Sequence, residues 1–229
     1  MGDLATLDKL DADRIARPES IVRAVQRRFA GRYPVDPFGL DPQLADLVTP
    51  AFSFAVPVVV EGEQHVPATG PAAIVSNRGF GLIEPAALGI AVQRATGRRL
   101  RIIGAPAIPV LGSIMRRLGS IAASAEDVGA ALRAGHLVGV PLAPTWLRTT
   151  AGAPPHSLMA ALTHAPIIPA AVTAGGPFGT ALGPWRVRFG SLVTLDDPYD
   201  PNDPLAAARF ADAMRVAVRS LLTGVETRR

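Results

Sequence analysis

The segment Ile74-Val75-Ser76-Asn77-Arg78-Gly79-Phe80-Gly81-Leu82-Ile83-Glu84-Pro85 sets an amide, a guanidinium and a carboxylate just after a short β-branched run. An arginine keeps its proton at any physiological pH, so Arg78 can hold an anion but cannot remove a proton. Glu84 alone is a poor base toward an alkanol, and before Pro85 it also reads as a first-turn charge on a helix dipole. Of the histidines, His136 opens an expected strand and His164 precedes another. Ligands of α/β sheets gather at the opposite, carboxyl ends of strands, so both read as structural. His65 sits in a turn. His156, in a loop, is then the one imidazole that could serve as a rescuing general base. Ser76 and Thr145 offer hydroxyls, but no partner base for a serine nucleophile is identifiable. Histidines and carboxylates have no metal-binding spacing. The run Gly175-Gly176-Pro177-Phe178-Gly179 lacks a phosphate-loop lysine and reads as a connector.

Residues 3–32 have helical periodicity that must position little of this chemistry. Leu4, Leu7, Leu10 and Ile15, then Ile21, Val22, Val25 and Phe29, recur at helical spacing, and Pro18 stands at a tolerated first-turn position. The second stripe is backed by Arg23, Arg27, Arg28 and Arg32, a face that could lie on an anionic bilayer or simply be solvated. Tyr33 to Pro42, with three prolines and a glycine, reads as a linker. Residues 1–41 are thus expected to form a helical appendage and linker, and residues 42–229 an α/β domain. A helix is expected from Asp41 or Pro42 to about Phe54. From Val56 onward, β-branched runs alternate with helical stretches, which predicts a mixed, largely parallel sheet flanked by helices. The expected strands are Val56–Val60, Ala72–Ser76, Arg101–Gly104, Leu137–Val140, Ile167–Val172 and Trp185–Phe189. The expected helices are Pro85–Arg94, Val110–Leu118, Ala125–Arg133, Ser157–Leu162 and Leu205–Leu222.

Composition narrows the partners. The chain of 229 residues is 48% hydrophobic with mean hydropathy +0.27, yet carries no run of apolar residues long enough to span a bilayer. Residues 1–13 are acidic and amphipathic without an apolar signal core, so cytoplasmic residence is expected. The lack of cysteine excludes disulfides, thiolate metal sites and a cysteine nucleophile. Net charge is +4, and the base is almost all arginine, which suits anionic headgroups, phosphate esters or nucleic acid. Aromatics are only 5% and are not interleaved with basic runs, so stacking platforms for nucleic acid are poorly supplied and a membrane surface is the better anionic partner.

Five segments, in order, resemble the PlsC-like glycerolipid acyltransferases over residues 37–222. Val58-Val59-Val60-Glu61-Gly62-Glu63-Gln64-His65-Val66-Pro67, followed by Gly70-Pro71, resembles the strand and turn leading into that family's first motif. Ile108 to Ile121, with Pro109-Val110-Leu111-Gly112 and Met115-Arg116-Arg117, resembles the second-motif helix. Leu132-Arg133-Ala134-Gly135-His136-Leu137-Val138-Gly139-Val140-Pro141 resembles the approach to the third motif. Ala165-Pro166-Ile167-Ile168-Pro169-Ala170-Ala171-Val172 is similar to the fourth. Arg186-Val187-Arg188-Phe189-Gly190 resembles the late strand.

The resemblance implies a site in which a His, oriented by an Asp, takes the proton of a lysolipid hydroxyl. In this chain Asn77 remains, Arg78 stands in the His position and Ile83 in the Asp position, with Glu84 one residue late. The second motif's arginine falls near Ala125. The third motif reads Pro141-Leu142-Ala143-Pro144-Thr145, with Leu142 in place of an acid and Ala143 in place of a glycine. The expectation is a catalytically degenerate acyltransferase-like protein binding a lipid, an acyl chain or a partner protein. Arg78, Arg116, Arg117, Leu142, Ala143, Thr145 and Arg148 are its candidate substrate-binding residues, with no metal and no cofactor. Two alternatives stand beside it. One is an active acyltransferase that takes its acyl group from acyl-CoA or acyl carrier protein; the other is an interaction subunit regulating an active relative. Peripheral contact with the inner face of a membrane fits all three.

Overall fold

A computed structural model describes residues 26, 35–77, 83–104, 109–142, 155–174, 184–193, 200, 203 and 205–226. The chain divides into two compact units, Met1–Pro34 and Val35–Arg229. Of the first, only Gln26 is described, in a helix. The arginine face and apolar stripes read from residues 3–32 therefore lie outside the described residues. Residues 35–41, assigned above to the linker, belong to the second unit.

That unit is a mixed six-stranded sheet with helices on both faces. In chain order its elements are α1 (Pro42–Ala55), β1 (Val58–Glu61), a 3-10 turn (Glu63–His65), β2 (Ala72–Asn77), α2 (Ile83–Thr96), β3 (Leu100–Ile102), α3 (Pro109–Arg117), α4 (Ala125–Arg133), β4 (Leu137–Leu142), α5 (Pro155–Leu162), β5 (Ile167–Ala174), β6 (Trp185–Phe189) and α6 (Ala206–Glu226). The strand order is β1-β6-β5-β2-β4-β3. β2 lies parallel to both β4 and β5, and β3 is parallel to β4. β1 is parallel to β6, and β6 runs antiparallel to β5. The expected mixed, largely parallel α/β sheet is what the chain forms.

Local chemistry sets the element ends. Asp41 caps α1: its Oδ1 accepts the N–H of Leu44 at 2.9 Å, and Pro42 occupies the first turn, where a missing N–H costs nothing. The first strand begins at Val58 rather than Val56, because the Val56 N–H still bonds Phe52 O at 2.8 Å as the cap of α1. Pro57, the next residue, has no N–H to give a ladder. Ser124 caps α4 by accepting the Asp127 N–H at 3.0 Å, and its hydroxyl donates to Asp127 Oδ2 at 2.7 Å. β3 stops at Ile102, earlier than expected. Ile103 instead makes an isolated bridge to Ile121, outside the strand. At the turn after β1, Gly62 has φ +73°, and a Cβ there would lie 2.2 Å from Phe189 O, so only glycine lets β1 close against β6.

Alternation along the strands divides the core in two. Ala73 and Val75 of β2 join Val138 and Val140 of β4 beneath α4, α5 and α6, where Leu132, Leu158, Phe210 and Met214 are buried. Ala72 and Ile74 point the other way, with Leu137, Leu88, Val92 and Val187, under α2. β2 is thus buried on both faces, as its nearly continuous apolar run requires. Burying a side chain of this size contributes about 1.5–3 kcal/mol, so both faces hold β2 in register. The carboxyl end of β2 is where the candidate chemistry sits.

Candidate functional site

β2, β4 and β5 run parallel, so their carboxyl ends emerge at one edge of the sheet. Ser76 pairs with Pro141 and Asn77 with Leu142, which brings the two segments expected to form the site side by side. A cavity of about 110 Å³ opens there. β2 supplies Ser76 and Asn77, and β4 supplies Gly139 and Pro141. Ile102 comes from β3, followed by Ile103 and Gly104. The first turns of α2 add Glu84, Pro85 and Leu88. Met115 of α3, Ser120 and Val172 of β5 complete the wall.

The walls are mostly apolar, with a few polar groups set in them. Ser76 and Ser120 are each buried to 5% exposure. Asn77 is tied by two hydrogen bonds: its Nδ2 donates to Val172 O at 2.8 Å, and its Oδ1 accepts the Val172 N–H at 2.7 Å. Glu84 stands in the first turn of α2, where a carboxylate is favoured by the exposed N–H groups of the helix, and it also lines the cavity. Gly139 makes room for the neighbouring strand: a Cβ there would meet Leu100 Cδ2 at 3.0 Å.

The candidate residues are distributed unevenly around this space. Ile83 opens α2 and, half-buried, packs against the apolar cluster under that helix. Arg116 is exposed and Arg117 half-buried, and among the described residues of α3 Met115 lines the cavity. The Arg117 carbonyl accepts the Asp41 N–H at 2.9 Å, joining α3 to the start of α1. Leu142 ends β4 beside Asn77 and packs against the core on the side of α4, α5 and α6. Arg78, Ala143, Thr145 and Arg148 lie outside the described residues. His156 falls in the first turn of α5, but its side chain lies outside them too. Among the described residues, no cluster of histidines and carboxylates could hold a metal ion.

The other histidines sit elsewhere. His65 and His164 are exposed. His136, at the amino end of β4, packs edge-on against Phe38, with ring centroids 5.4 Å apart. Burial holds its proton affinity below the ordinary 6.5, the Arg101 and Arg98 charges act in the same sense, and Asp36 opposes them.

The reading of the residues missed Met115, Ser120, Gly139 and Val172 as parts of the wall. Each lies inside a segment quoted above for its family pattern. Their role depends on which faces of α3, β4 and β5 turn toward β2, and periodicity carries no such information.

No family model matches the sequence. The chain is similar to uncharacterized proteins of mycobacteria. Rv0502 of Mycobacterium tuberculosis and Mb0514 of Mycobacterium bovis are each 26% identical across 86% of this chain and 71% of their own length. ML2427 of Mycobacterium leprae is 32% identical across 51% of this chain and 35% of its own. Among solved structures, the 1-acyl-sn-glycerophosphate (LPA) acyltransferase PlsC of Thermotoga maritima is similar over 79% of each chain, with 18% identity and a TM-score of 0.46.

Proposed function

We propose that this chain is a catalytically degenerate acyltransferase-like protein that holds a lipid or acyl chain in the cavity at the carboxyl edge of its sheet. The observation that carries this reading is the composition of the cavity wall. Leu88, Ile102, Ile103, Met115 and Val172 make it apolar, and Ser76, Asn77, Ser120 and Glu84 set a few polar groups among them. Such a wall suits a hydrocarbon with a small polar end. The five family-like segments support the acyltransferase relationship, and the sequence holds Arg78 and Ile83 where that chemistry needs a base and its orienting acid.

The test pairs binding with turnover. Purified protein given acyl-CoA and lysophospholipids is expected to transfer little or no acyl group, since losing a general base removes on the order of a hundred- to ten-thousand-fold in rate. A fluorescent acyl lipid is expected to bind, and unlabelled lipid to displace it. Robust turnover that vanishes in His156→Ala would instead establish an active acyltransferase using acyl-CoA or acyl carrier protein. Failure to bind any lipid, together with a change in the activity of an active acyltransferase, would favour the regulatory subunit.

The same reading places the ligand's source at an anionic membrane surface on the cytosolic side. The arginines at 23, 27, 28 and 32 support it, each such charge near an anionic surface contributing about 1 kcal/mol. Among the described residues no helix is long and apolar enough to cross a membrane. Co-sedimentation with anionic vesicles at low salt, reversed at high salt, is the expected result. Absence of binding at low salt would remove the membrane from the reading.

A further inference from the structure

The pairing of Asn77 with Val172 is unusual in its form. Main-chain pairing between β2 and β5 runs from Ala73 and Ile167 to Ser76 and Ala170. Val172 lies two residues beyond that last pair. Its N–H and C=O nevertheless both find partners on the β2 side, and both partners belong to one side chain: Oδ1 of Asn77 at 2.7 Å and Nδ2 of Asn77 at 2.8 Å. In a parallel ladder those two bonds would come from main-chain groups of a strand continuing alongside. A carboxamide carries one acceptor and a donor in the same plane, so a single asparagine can replace them. On its other side, the backbone of Asn77 is held in the β2–β4 ladder opposite Leu142. Asn77 and Val172 both line the cavity.

We propose that Asn77 is a positioning residue of this cavity: its side-chain amide stands in for the next stretch of β2, joins β2 to β5 beyond the end of their ladder and thereby fixes the width of the cavity wall between them. The Val172 N–H and C=O, buried at the cavity wall, thereby have partners; left without them they would be costly. The geometry also dictates the residue type. An aspartate would accept the Val172 N–H but set a second lone-pair oxygen against the Val172 carbonyl. A glutamine carries its amide one methylene too far. An alanine leaves both groups of Val172 open.

The exchange arm of the test needs no ligand, while the binding arm rests on the lipid reading above. In the full chain with ¹⁵N-labelled valine, Asn77→Ala is expected to speed Val172 amide exchange by at least about tenfold more than that of Val75, Val138 and Val140. The same variant is expected to weaken a neutral probe, a fluorescent monoacylglycerol, by about tenfold, and to lower the thermal midpoint by several degrees as the two groups of Val172 lose their partners. Asn77→Asp should behave like Asn77→Ala at neutral pH. At acid pH, where the introduced carboxyl is protonated and can both donate and accept, it should recover toward wild type measured at the same pH. A general loss of packing would not produce that recovery. Unchanged Val172 exchange in Asn77→Ala, or an Asn77→Asp variant that stays defective at acid pH, overturns the proposal. A wild-type protein that binds no monoacylglycerol would overturn the lipid reading instead, and the exchange result then decides the role of Asn77 by itself.

Discussion

Arg101 is 3% exposed, and its charge is answered by Asp36, with which it forms an ion pair across the start of the second unit. The Arg101 guanidinium also lies 5.8 Å over the Phe38 ring, while the other oxygen of Asp36 accepts the N–H groups of Phe38 and Leu40 at 2.9 Å each. One carboxylate therefore shapes its own turn and neutralises a buried cation. Removing it strands that cation, and Asp36→Ala is expected to cost about 3 kcal/mol in urea unfolding. The exposed pair of Arg99 with Asp46, whose carboxylate is 72% exposed, provides the contrast. There Asp46→Ala is expected to cost less than about 1 kcal/mol. Equal effects would mean that burial does not decide the strength of these pairs.

At the scale of elements, α4 is held by its ends and by one face. α4 starts on the reciprocal bonds of Ser124 and Asp127 and ends where Gly135, at φ +82°, lets its N–H reach Leu132 O at 2.8 Å and the His136 N–H reach Ala131 O at 3.0 Å. Val128, Ala131 and Leu132 are buried on its inner face. Ser124→Ala is expected to lower stability by about 1 kcal/mol, read as a shift of the denaturant midpoint with unchanged slope. An unchanged midpoint would mean that packing of the inner face alone holds the helix. α3 works differently: Met115 turns into the cavity while Ile114, 46% exposed, and Arg116 face solvent. The helix separates apolar lining from surface charge within a single turn.

For the α/β unit as a whole, the site and the charged cluster occupy opposite ends of the strands. Ser76 and Asn77 lie at the carboxyl end of β2, whereas His136 precedes the amino end of β4 among Phe38, Arg101, Asp36 and Arg98. Burial and the neighbouring arginines keep the His136 imidazole neutral in the folded state below the pH at which it would protonate in an unfolded chain. The unfolded chain therefore binds more protons as pH falls below the ordinary value of 6.5. Stability is expected to fall as pH drops through that value toward the lower, folded-state titration. In His136→Asn this part of the pH dependence should vanish, measured as thermal midpoints from about pH 7.5 to about pH 5 against wild type. A midpoint with the same pH slope in both proteins would exclude His136 as the source. Because the cluster is at the far end of the strands, monoacylglycerol binding by this variant at neutral pH should match wild type.

The sequence by itself determined most of the architecture. The runs around Ala72, Leu137, Ile167 and Trp185 became strands, and Ala125–Arg133 became a helix with both ends as expected. Such elements are legible because burial on one or two faces imposes a period on the residues themselves. Tertiary structure alone decided what closes the cavity. Val172 is 95 residues from Asn77, yet their paired hydrogen bonds arise because β5 is inserted beside β2 out of chain order. In the same way Met115 rather than Arg116 lines the wall, and Asp36 meets Arg101 across 65 residues. Contacts of this kind depend on strand order and helix rotation, which are set by packing two core faces at once, and no local pattern in the chain encodes them.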